Sequence, residues 1–160
     1  MRIYLAGPYG FSEAGRHFYR GVLIPLVSGL GHEAVDPWAL TDQARIEAVA
    51  ALPAGAERRT AWRRLNMEIA AENRAAIDRS DAMLAVLDGS DVDSGTAAEI
   101  GYGFARGKPI LGYRGDFRIS ADNEGGTVNL QVEYFIRESG GDIVSILADI
   151  GPALERMAAR

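Results

Sequence analysis

Residues 82–87 read Ala-Met-Leu-Ala-Val-Leu, an apolar run without a polar interruption. A strand with one wet face alternates apolar and polar residues. An unbroken run belongs to a strand covered on both faces, the situation in parallel sheets flanked by helices. The rest of the chain fits that frame. Ile3-Tyr4-Leu5-Ala6 is a second buried strand, stopped at once by Gly7-Pro8. Short strands are expected at Glu33–Val35, ended by Asp36-Pro37, at Lys108–Tyr113 and near Asp142–Ser145.

Helical stretches separate these strands. Ser12–Leu30 opens on a residue suited to capping. Thr60–Arg79 carries Trp62, Leu65, Ile69, Asn73 and Ile77 at intervals of three and four, an amphipathic helix. Further helices are expected from about Gly95 to Arg106, around Asn129–Arg137 and at the C-terminus. This alternation predicts one α/β domain over residues 1–160, a parallel sheet of about five strands with helices on both faces. Ala39–Arg59, with Pro53-Ala54-Gly55 inside it, reads as a flap, and Arg114–Gly126 as a long loop.

Composition removes several kinds of chemistry. With no cysteine, the chain has no disulfide, thiolate nucleophile or Cys-ligated metal. His17 and His32 are too few for a multi-histidine metal centre. Seventeen Lys and Arg against 22 Asp and Glu give a net charge of −5, which argues against a nucleic-acid or anionic-membrane surface. The start, MRIYLAGP, lacks the charged-then-apolar pattern of a signal peptide. The apolar stretch 21–30 is broken by Pro25, Ser28 and Gly29 and falls short of the roughly 20 residues of a spanning helix. A cytoplasmic protein acting on small molecules is expected.

In open parallel sheets, ligands bind beyond the carboxyl ends of the strands, here loops 7–15, 36–60, 88–95 and 114–126. Gly7, Gly10 and Gly15 suit a strand-to-helix turn, but their spacing is not the dinucleotide fingerprint and Pro8 lacks an amide donor. Asp36 stands where a ribose-binding acid would. The densest segment is Asp93-Ser94-Gly95-Thr96-Ala97-Ala98-Glu99-Ile100-Gly101-Tyr102-Gly103. Thr96-x-x-Glu99 has the spacing of a capping box, in which Glu99 only reaches back to its own helix start. Against that, two interior glycines each cost about 1 kcal/mol relative to alanine, which implies a close approach at Gly101 or Gly103. The small residues 94–98 leave room for a ligand beside Glu99.

Ile3–Pro8, Ser80-Asp81-Ala82, Asp93–Tyr102 and Gly107-Lys108-Pro109 together resemble the nucleoside 2-deoxyribosyltransferases, over residues 3 to about 137. The resemblance implies a flavodoxin-like doubly wound sheet and a homo-oligomer with active sites near subunit contacts. It implies base exchange on a 2′-deoxyribonucleoside with a free nucleobase, without metal or organic cofactor. Glu99 matches the family's nucleophile and Asp93 the carboxylate that holds the sugar 5′-hydroxyl. Tyr4 and Gly7 match the strand and turn that floor its sugar pocket, and Gly95 is a further expected substrate contact. Asn129 resembles an asparagine lent to a neighbouring subunit's site. Many members carry aspartate against the base where this chain, like some members, has Asn73, a departure that bears on the proton route to the leaving base and on which bases are accepted.

In that chemistry a carboxylate under the anomeric carbon meets the positive charge of the breaking glycosidic bond and can trap it covalently. The helix-start position is expected to help keep Glu99 ionised. The 39–59 flap and Trp38 are candidate lids or stacking walls. Two rival readings share these residues: a 2′-deoxynucleoside 5′-monophosphate N-glycosidase with water as acceptor, and a non-catalytic nucleotide-binding module in which Glu99 only caps its helix.

Overall fold

The computed structural model describes residues 1–159. Five parallel strands, β1 (Arg2–Ala6), β2 (Glu33–Val35), β3 (Ala82–Val86), β4 (Ile110–Tyr113) and β5 (Ile143–Val144), form one sheet in the order β2-β1-β3-β4-β5. This is the flavodoxin-like doubly wound order, and its direction reverses between β1 and β3. The unbroken run at 82–86 is the central strand, every residue buried.

Side chains leave the sheet alternately, so each strand supplies both cores. On one face Ile3, Leu5, Leu84 and Leu111 meet Tyr19 and Leu23 from the turn between α1 (Glu13–Phe18) and α2 (Ile24–Gly29), Val27 from α2, and Leu154 from α7 (Ile150–Ala158). On the other, Tyr4, Met83, Ala85 and Ile110 meet Ile77 from α4 (Ala56–Arg79), Ile100 from α5 (Ser94–Ala105) and Ile136 from α6 (Leu130–Glu138). The hydroxyl of Ser12 accepts from the Gly15 amide and starts α1. A π-helical turn, Tyr19–Leu23, joins α1 to α2. Pro25 brings no N–H to the carbonyl one turn back, and the helix widens just before it.

The 39–59 stretch is more ordered than its sequence suggests. It contains α3 (Gln43–Ala50), capped by Asp42, and α4 begins at Ala56, ahead of the expected Thr60. Arg45 forms ion pairs with Glu68 and Glu72, and the Thr41 hydroxyl donates to Glu72. These partners lie on α4, so no periodicity within 39–59 could display them. β4 begins at Ile110, after the expected Lys108, whose amide still donates to the Gly103 carbonyl of α5 and whose ammonium donates to the carbonyls of Asp78 and Ser80. Among the described residues, no helix is long and apolar enough to cross a membrane.

Candidate active site

The crevice beyond β1 and β3 holds a cavity of about 280 Å³. Gly7 and Phe11 come to it from the loop after β1, Pro37 and Trp38 from the loop after β2. α4 supplies Ile69 and Asn73, and the start of α5 supplies Gly95, Thr96 and Glu99, with Asp93 just ahead of it. The reversal of strand order makes this opening, because the connections after β1 and β3 leave in opposite directions. Gly7 is required by close approach: a Cβ there would lie 2.8 Å from Val86 Cβ.

Glu99 does not cap its helix. It is the sixth residue of α5, and its Oε1 accepts from the Tyr4 hydroxyl at 2.6 Å. The cap is Asp93, whose Oδ2 accepts from the Thr96 amide at 3.0 Å and the Thr96 hydroxyl at 3.1 Å. The capping-box reading of Glu99 is therefore overturned, and with it the expectation that the helix start favours its ionised form. The dipole's influence fades within the first turn, and Glu99 lies beyond it. Burial instead pushes the Glu99 carboxyl above the usual carboxylate range. The Tyr4 hydrogen bond opposes that shift, and the nearby Asp93 charge adds to it. Tyr4 is wholly buried, and its phenol is pushed far up by burial and by the Glu99 charge, so it remains a donor.

The cavity thus gathers Glu99, Gly7, Asp93, Gly95 and Asn73, with Tyr4 reaching Glu99 from beneath. Asn73 Oδ1 is buried without a hydrogen-bond partner, as expected of an amide whose partner is a ligand or water. Asn129 is not among the residues lining this cavity. It caps α6, its Oδ1 accepting from the Gln131 and Val132 amides.

Asp36 is not among the residues lining this cavity. Its Oδ1 accepts from the Tyr19 hydroxyl and the Trp38 amide, both at 2.9 Å, and so fixes the Pro37-Trp38 turn. Asp78 accepts from the Tyr102 hydroxyl at 2.9 Å and from Arg106 at 2.8 Å. Two further residues escaped the sequence reading. Asp88 ties the crevice loops together: Oδ2 accepts from the Tyr9 hydroxyl at 2.5 Å and Oδ1 from the Asp116 amide at 2.9 Å. Arg114, 2% exposed, donates to the carbonyls of Leu87 and Gly89. A carboxylate directly after the buried strand was the available signal for Asp88. Nothing local marked Arg114.

A family model for nucleoside 2-deoxyribosyltransferase matches residues 3–131. No curated protein sequence matches the chain. Among solved structures, a conserved protein from Enterococcus faecalis V583 superimposes with a TM-score of 0.70 at 23% identity, over 98% of both chains. A 2-desoxiribosyltransferase from Leishmania mexicana gives 0.65 at 24% identity, over 99% of this chain and 97% of that one. The Clostridium botulinum CMP N-glycosidase BcmB gives 0.55 at 17% identity, over 97% and 99%. At these identities the superpositions establish the fold, and the matched family establishes an enzyme of N-glycosidic bond chemistry.

Proposed function

The chain belongs to the nucleoside 2-deoxyribosyltransferase family, and from that premise we propose that it exchanges the base of a 2′-deoxyribonucleoside through a covalent deoxyribosyl–Glu99 ester. The observation that carries this reading is the Glu99 carboxylate, buried against Tyr4 and lining a cavity large enough for a small ligand.

In this mechanism a Glu99 oxygen bonds to C1′ as the glycosidic bond breaks, and the bonding pair leaves on the base nitrogen. Desolvation strips the carboxylate of water and makes it the better nucleophile. The Tyr4 hydroxyl holds its other oxygen in place and stabilises it as leaving group when the second base attacks. Two displacements at C1′ retain configuration. Asn73 hydrogen-bonds the base edge but has no titratable proton, so the proton on the departing base comes from solvent. Asp93 uses Oδ2 to start α5, and Oδ1 accepts from the sugar 5′-hydroxyl. Asn129 completes a partner's site in a homo-oligomer, and the enzyme works in the cytoplasm.

The similarity in fold to a CMP N-glycosidase motivates the second reading, hydrolysis of 2′-deoxynucleoside 5′-monophosphates. Cavity charge favours the first. Among the described residues no lysine or arginine lines it, while Asp93 and Glu99 do. Two like charges about 4 Å apart at an effective dielectric near 20 repel by roughly 4 kcal/mol, so a 5′-phosphate is disfavoured. Incubating the enzyme with 2′-deoxyadenosine and a second free base, and separately with deoxyadenosine monophosphate, separates the readings. The expected result is a new nucleoside with little free sugar, and a higher kcat/KM for the nucleoside. Free sugar as the main product, with the monophosphate preferred, assigns the hydrolase.

A further inference from the structure

Trp38 is pinned from several sides yet left partly bare. Its amide donates to Asp36, whose carboxylate is itself held by the buried Tyr19 hydroxyl. The backbone of Gly10 lies so close to the indole that a Cβ there would come within 2.1 Å of its fused-ring carbons. Phe11 stands against it at 87°, with ring centroids 4.7 Å apart. A tryptophan serving only as core is buried. This one remains 39% exposed, Phe11 remains 70% exposed, and both line the cavity that contains Glu99 and Asn73.

We propose that Phe11 and Trp38 form an aromatic corner that receives the nucleobase, with Trp38 the residue that sets base preference. Two rings at right angles suit a third planar ring especially well. A base stacked on one wall presents its edge to the other, and both arrangements are favourable for aromatic pairs. Asn73 then meets the edge of the base. Trp38 needs no ordering on binding, because Asp36 and Gly10 already fix it. Stacking grows with ring area, so the corner favours two-ring purines over one-ring pyrimidines. The inference rests on the base-exchange reading of the Glu99 cavity and adds to it the class of base.

Trp62 is the only other tryptophan, so in a Trp62→Phe background the emission reports Trp38 alone. Adenine, and 2′-deoxyadenosine with Glu99→Gln added to block turnover, are expected to quench that emission saturably. Trp38→Leu is expected to raise KM for purine bases about tenfold or more, with kcat nearly unchanged because binding alone is lost. The rise is smaller for pyrimidines, and Trp38→Phe recovers most of it. Phe11→Leu, which leaves the pins on Trp38 intact, raises KM while quenching persists. Circular dichroism checks that each variant folds. Base exchange with KM unmoved by Trp38→Leu, and Trp38 emission unquenched by bases, overturns the corner and leaves base exchange standing. Quenching by bases without exchange of any base overturns base exchange and leaves the corner. Neither quenching nor exchange overturns both.

Discussion

Glu99 carries a conflict between stability and function that its two simplest substitutions should separate. Its carboxyl is raised in the fold, so the native state holds that proton more tightly than the unfolded chain does. Stability from this group is therefore present below the ordinary glutamate pKa and falls as pH rises toward the folded value. Glu99→Gln removes the buried charge while keeping an oxygen for the Tyr4 hydroxyl. It is expected to abolish exchange and raise Tm at neutral pH. Glu99→Ala also abolishes exchange, but it strands a buried phenol and should cost about 1–3 kcal/mol. The same shift sets the acid limb of kcat/KM, because the nucleophile must be ionised. That limb is expected above the usual carboxylate range, and Tyr4→Phe should move it higher by removing the bond that favours the charge. A Glu99→Gln protein less stable than wild type across pH 6–8 would contradict this account.

At the scale of elements, α5 delivers Glu99 and its two interior glycines are not equivalent. A Cβ at Gly103 would meet Met83 Sδ at 2.1 Å, whereas one at Gly101 would sit 3.5 Å from Phe135, an ordinary contact. Gly103 lets α5 lie close on β3, and Gly101 has no such duty. Gly103→Ala is expected to cost about 1–3 kcal/mol by overpacking and to lower activity with it, as α5 lifts and Glu99 leaves Tyr4. Gly101→Ala should raise stability by up to about 1 kcal/mol through helix propensity. Thermal melts of the two variants, with exchange assays alongside, check the pair. Equal effects would mean that α5 has no close contact to protect.

At the scale of the whole molecule, the trans role proposed for Asn129 depends on where it sits. It caps α6 on its own chain and does not line that chain's cavity. Leu130 and Tyr134 of the helix it caps are exposed, as are Phe117, at 95%, and Ile119 in the loop that precedes it. A groove between α4 and α5, lined by Ala70, Ala98 and Tyr102, opens onto Asn73 and Glu99 from outside. An exposed apolar surface and an accessible site of this kind suit a second copy of the chain. Glu99→Gln and Asn129→Ala are each expected to be inactive alone. Mixed and reassembled they should regain partial exchange, since some sites then hold both native residues. Sedimentation showing a fully active monomer would end the trans assignment.

The sequence by itself determined what depends on local pattern. The run at 82–87 demanded a sheet covered on both faces, and the alternation of strands and helices supplied the rest of the architecture. Gly7 and the segment from Asp93 to Gly103 marked the crevice loops, because turn, cap and close-packing residues act on their near neighbours. What only the tertiary structure decided were partnerships between distant segments. Thr96 and Glu99 have the spacing of a capping box, but Asp93 takes the cap and Tyr4, 95 positions away, takes Glu99. Asp36 accepts from the Tyr19 hydroxyl, 17 positions away, and α3 is held by acids on α4. A carboxylate's role is set by which donors reach it and how much water remains around it. Both are properties of the packed molecule, not of the residue's neighbours in sequence.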